Sequence, residues 1–170
     1  MAKNSFFIRA QVNGGNAGAF AQTEIDIGAY TDLGSSSPEI LRIHNITVRM
    51  TNSSGAIPLM LGDTADSAGW QLCTQTQSAM ILADDRSYVS GGVVAGRNAD
   101  SNPHAPTNVF EQQILAQDFT QGYLVAVPSL FLGAFGGGNY TEDCIFAVVM
   151  ECTTEKATKA SAVSLAVSQM

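Results

Sequence analysis

Charge is what this chain has least of. Asp, Glu, Lys and Arg make up 14% of its 170 residues, where an ordinary globular domain carries about 25%. The shortage is sharpest on the basic side, with 8 Lys and Arg against 15 Asp and Glu and a net charge of −7. Phosphate backbones are held by clustered Lys and Arg, and the only near pair here is Lys156 and Lys159. Direct binding of nucleic acid is therefore not expected. Histidine is nearly missing too. His44 and His104 stand far apart, whereas a cupin-type metal centre needs several His and a Glu on adjacent strands. Cys73, Cys144 and Cys152 form an odd set without CxxC spacing. They read as three reduced, mostly buried thiols, with one disulfide plus a free thiol as the alternative. No apolar run reaches 18 residues, so no helix crosses a membrane. The segment Met1 to Arg9 is charged too soon for a secretory signal. The chain is expected to stay in the cytoplasm where it is made, or to leave inside an assembly. Neither GxSxG nor a phosphate-binding glycine motif occurs.

What remains is apolar, small and neutral. Apolar residues make up 45% of the chain, enough for a core without staples, since a chain of this length buries about 70% of its surface on folding. The dominant pattern is β. Phe6, Ile8, Ala10 and Val12 alternate with Phe7, Arg9 and Gln11, and Ile25 and Ile27 alternate with polar neighbours. From Glu39 to Asn52 the alternation shifts phase once, between Ile43 and Ile46, which marks a β-bulge at His44–Asn45. Asn52-Ser53-Ser54-Gly55 reads as a hairpin turn. Shorter strands are expected at Ile57–Leu61, Trp70–Thr76, Met80–Leu82 and Ser87–Ala95, with Asp84-Asp85 as a turn. Arg97–Thr107 reads as a surface loop, and Val109–Phe119 suits a helix face or a strand. Tyr123–Leu132 and Cys144–Cys152 are near-continuous apolar runs, expected as fully buried strands separated by a flexible loop at Gly133–Asn139. Many short strands without a βα rhythm predict an all-β antiparallel sandwich, a single jelly roll, over residues 1–152. Residues 153–170 read as a C-terminal arm. Thr153-Thr154-Glu155 can cap a helix there, with Ala160, Val163, Val167 and Met170 as its apolar stripe, and strand is the alternative.

Individual side chains add little chemistry. Asp84-Asp85 reads as a turn former in preference to a calcium site, which needs six or more oxygens. Three N-x-S/T sequons occur at Asn45, Asn52 and Asn139, the last two being the better placed. An exposed Trp on a sandwich can stack on a sugar, but Trp70, at the start of a strand, reads as core or interface.

An all-β chain poor in charge and in catalytic side chains suits a building block whose work is to repeat. Four stretches resemble structural proteins of uncultured marine viruses: Ala2–Ala10, Leu41–Asn45, Ala83–Ser87 and Gly122–Val127. In architecture the chain is similar to the single jelly-roll major capsid proteins of tailless icosahedral viruses. The resemblance implies a non-enzymatic, cofactor-free shell subunit located in the virion. Its partners would be copies of itself and other capsid proteins, often over an internal membrane, with no small-molecule substrate. Assembly contacts are expected at three places: Phe6 and Phe7 with the elbow Gly14 and Gly15; the loop residues Phe135, Gly137 and Asn139; and Val163, Val167 and Met170 of the tail. The other reading is a β-sandwich carbohydrate-binding or adhesion module using loops around Trp70, Asp84-Asp85 and Tyr140.

Overall fold

A computed structural model describes residues 4–170. Met1 to Lys3, of which Ala2 and Lys3 open the N-terminal stretch of the resemblance, lie outside the described residues. Nine strands follow in chain order: β1 (Phe6–Asn13), β2 (Ala21–Asp26), β3 (Glu39–Thr51), β4 (Thr64–Cys73), β5 (Tyr88–Asn98), β6 (Asn108–Ile114), β7 (Tyr123–Val125), β8 (Ser129–Gly136) and β9 (Ile145–Lys156). A helix, α1 (Lys159–Ser168), ends the chain.

The strands form two antiparallel sheets, in the order β1-β9-β3-β7 and β2-β8-β4-β5-β6. Successive strands alternate between the sheets from β1 to β4 and again from β7 to β9. This interleaving, with every pair antiparallel, is a jelly roll. The fifth strand of the second sheet, β6, is additional to the eight-strand pattern. The core lies between the sheets, where Trp70, Phe146, Ile43, Ile46, Leu132 and Met150 are fully buried. Alternation sets it: in β9, Phe146, Val148, Met150 and Cys152 point inward and the residues between them are only half-buried. The Cys144–Cys152 run is thus buried on one face, not on both.

The bulge stands where the phase shift places it. β3 pairs with β9 in one register up to Ile43 and in another from Asn45, so Leu41, Ile43 and Ile46 all reach the core. The Asn52 turn also forms. The Asn52 Oδ1 accepts from the backbone N–H of Ser54 and of Ala56 at 3.0 and 2.9 Å, and Gly55 takes φ +82°. It does not make a hairpin, because the chain then crosses to β4 in the other sheet.

Several expected elements differ. Ile57–Leu61 is not a strand: Pro58 lacks an N–H, and only Met60 makes bridges, to His104 and Tyr140. Met80–Leu82 is loop, held by Gln71, whose side-chain amide donates to the Ala79 carbonyl and accepts from the Ile81 N–H. The run Tyr123–Leu132 is split into β7 and β8, because the chain changes sheets around Pro128. Val109–Ile114 is strand, not helix. Gly133 to Gly136 belong to β8, and Thr153 to Glu155 extend β9 to Lys156 rather than capping a helix. The cap is Thr158, whose hydroxyl accepts from the Ser161 N–H at 3.2 Å.

Candidate assembly surfaces

Of the N-terminal candidates, Phe6 turns inward and stacks on Tyr30, ring centroids 4.6 Å apart. Phe7 points the other way, 54% exposed, with the Arg9 guanidinium 5.5 Å from its ring centroid. Gly14 is buried, with its N–H on the Cys144 carbonyl and its own carbonyl accepting from Gly136. A methyl group at Gly14 would lie 2.9 Å from the Phe135 backbone. Of the two, only Gly15, at φ +65°, has open space where a Cβ would stand, and its carbonyl accepts from the Cys144 N–H.

The second group is also tied within the chain. Phe135 is a strand residue whose ring lies over Gly69 of β4, its cross-strand partner. Gly137 packs against the Asp66 carboxylate, and the Asn139 side chain donates to the Ala65 carbonyl at 3.1 Å. The expected flexible loop is therefore a packed corner. Glycine has a physical use on this face. Gly69, Gly91 and Gly133 present bare backbone to the side chains of Phe135, Tyr88 and Phe20, each of which has an atom within 2.7 Å of where a Cβ would stand.

The tail candidates behave oppositely. Val163, Val167 and Met170 are 48, 60 and 69% exposed. The side of α1 that packs is Ala162, Leu165, Ala166 and Gln169, against Ile40, Leu124 and Ala126. The expected stripe is thus the outward face of a helix that is apolar on two sides. Gln169 anchors it: its side chain donates to the Leu124 carbonyl and accepts from the Ala126 N–H, while its backbone carbonyl accepts from the Thr74 hydroxyl at 2.6 Å. Those bonds cover the free edge of β7.

Sequence reading missed one surface. All seven residues of β6 are exposed, with Val109 at 57% and Phe110 at 62%. Beside it lies an open groove of about 700 Å³, floored by Gly91 and Gly92 and walled by Tyr88, Val93, Gln112, Ile114 and Phe135. The signal was present as Val109-Phe110…Ile114, but its spacing also fitted a helix.

The residues of the carbohydrate-binding reading are placed unevenly. Trp70 and Tyr140 are both buried, so neither ring can stack on a sugar. Asp84 and Asp85 are exposed in a turn, where Asp85 accepts from the Ser87 N–H and hydroxyl. Those two bonds hold its carboxyl below the usual carboxylate range. Of the sequons, Asn52 is buried and fully engaged, whereas Asn45 is exposed on β3 and bonds Glu151. His44 meets the Thr153 hydroxyl at 2.9 Å, and His104 sits in the β5–β6 loop. The three cysteines are free and buried, and burial pushes each thiol up to about 12.

No family model matches the chain, and no curated protein matches it. Among solved structures, it is similar to VP1 of Trichodysplasia spinulosa-associated polyomavirus in complex with GM1 oligosaccharide. That match has 6% identity and a TM-score of 0.47, covering 93% of this chain and 97% of that one. It is similar to the Merkel cell polyomavirus virus-like particle at 7% identity and TM-score 0.47, covering 92% and 76%. Desmodium yellow mottle tymovirus follows at 9% identity and TM-score 0.39, covering 92% and 90%. The jelly roll itself rests on the strand order of this chain: two interleaved antiparallel sheets with one additional edge strand and a short C-terminal helix.

Proposed function

We propose that this chain is a structural virion protein, a self-assembling shell subunit of a tailless icosahedral virus. The observation that carries the reading is where its apolar surface lies. Val163, Val167 and Met170 on α1, and Val109, Phe110 and Ile114 on β6, stand exposed on a molecule with few charges to keep copies apart. Surfaces of that kind are covered by neighbours in an assembly. The tail beyond β9, with Phe7 and the Gly15 elbow, supplies the further contacts of this reading, and the partners are copies of the chain and other shell proteins. It performs no reaction; its location is the virion.

Negative-stain microscopy with light scattering over a range of protein and salt concentrations tests the proposal. Closed shells, sheets or uniform capsomers are expected. A monomer at all concentrations would overturn it.

One observation favours a second reading, carbohydrate binding. The outer-face groove combines two aromatic side chains, Tyr88 and Phe135, with the amide side chain of Gln112, a mixture that holds a sugar ring. Retention on immobilised glycans, lost on Tyr88→Ala, is the result this reading expects.

A further inference from the structure

The four outer edges of the two sheets are not alike. β1 carries Arg9 on its exposed face, and β2 carries Glu24 and Asp26. β7 is three residues long and is covered by Gln169. Charges, shortness and a covering element are the usual guards against strand-to-strand pairing. β6 has neither shortness nor a covering element, and it carries no more charge than β1. It is seven residues long, has one charge and no proline, and stands as the fifth strand opposite a sheet of four, so both its faces and its outer edge are open. A strand exposed on three sides, with Val109, Phe110 and Ile114 among its seven residues, is a template for another strand.

We propose that β6 pairs with β6 of a second copy, antiparallel about a two-fold axis, joining the two five-stranded sheets into one. This deepens the shell-subunit reading and rests on it for the identity of the partner. The composition of the strand selects both partner and register. The pairing with β5 sets Phe110, Gln112 and Ile114 on the outer face, opposite Ala95, Val93 and Gly91. Glu111 and Gln113 lie on the other face. With Gln112 on the axis, opposite its own copy, Phe110 of each chain meets Ile114 of the other. Glu111 then meets the neutral amide of Gln113. Slipping the pair so that Glu111 lies on the axis sets carboxylate against carboxylate and removes Ile114 from Phe110. The favoured register therefore combines apolar contact with relief of charge on a chain of net −7. Backbone direction agrees. Ser90 Oγ donates to the Ile114 carbonyl at 2.6 Å, which turns that carbonyl, and by alternation those of Gln112 and Phe110, toward β5. The groups of Glu111 and Gln113 are left for the partner, and Gln112 falls at a close, non-hydrogen-bonded pair.

The test is disulfide trapping. Cysteines placed at a close antiparallel pair have Cβ atoms about 4.5–5.5 Å apart, within reach of a disulfide after small adjustment. The native thiols are buried and do not compete. Under mild oxidation Gln112→Cys is expected to give covalent dimer at least ten-fold faster than Glu111→Cys. Equal trapping of the two, or none, overturns the proposal. Hydrogen exchange on the unaltered protein gives a second reading: amides of residues 109–114 slow at least ten-fold from dilute to concentrated solution, and no change overturns it. The same samples under the microscope separate the two ideas. Shells without Gln112→Cys trapping reject the strand pairing and keep the shell. Trapped dimers that never grow larger keep the pairing and reject the shell.

Discussion

At the scale of single residues, the clearest chemistry is that of groups kept from water. Cys73, Cys144 and Cys152 have ordinary thiol values of 9.0 raised to about 12, mainly by burial, and Tyr140 is raised from 10.0 to about 12 for the same reason. A raised value means the folded state holds its proton more tightly than the unfolded state. The stabilisation is fully present below the unfolded value and is lost as pH rises through the folded one. The melting temperature is therefore expected to fall steeply between pH 9 and pH 12, as followed by circular dichroism against pH. By the same burial, Ellman's reagent should titrate none of the three thiols in the native protein and all of them in denaturant. Gly136 adds a packing test. A Cβ there would lie 2.1 Å from the Gly15 carbonyl oxygen, an atom of the backbone that cannot swing aside. Gly136→Ala is expected to cost about 1–3 kcal/mol in urea unfolding. Cysteine spacing and scarcity were enough to read the thiols as free and buried. The need for glycine at 136 was not legible, because it depends on a loop more than a hundred residues away.

At the scale of elements, α1 shows how a short helix is placed. Its own pattern is nearly uniform: small and apolar residues all round, with Val163, Val167 and Met170 as convincing a stripe as Ala162, Leu165 and Ala166. Gln169 decides between the faces, because its amide fits the free Leu124 carbonyl and Ala126 N–H at the edge of β7. Gln169→Ala leaves the buried Ala126 N–H and the half-buried Leu124 carbonyl without that partner. It should destabilise by about 1–3 kcal/mol, and limited proteolysis should cut the tail sooner. The bulge in β3 was legible because it shifts a periodic pattern within one strand. The extent of β6 was not, since Val109, Phe110 and Ile114 satisfy either period and only pairing with β5 chooses between them.

At the scale of the whole molecule, the jelly roll sets two of its apolar surfaces at the outer edge of the five-stranded sheet and on the outer side of α1. Replacing Val163 and Val167 together by Lys should leave monomer stability within about 0.5 kcal/mol, as for exposed sites generally. Particle formation in light scattering should be reduced or lost. That separation of folding from assembly is what a contact surface requires, and a residue packed in its own subunit would not show it.

Composition and period alone determined the class of this protein: an all-β sandwich with free thiols, little charge, one bulged long strand and an appended tail. Those are properties of local spacing and of totals, and they do not depend on which strand neighbours which. Sheet order, the crossing near Pro128, the closing of the Gly133–Gly137 region into a packed corner and the outward turn of the Val163 stripe were decided only in three dimensions. Each depends on contacts between segments far apart in the chain, where a backbone carbonyl, a bare glycine or one amide side chain selects among arrangements that the local pattern leaves equal.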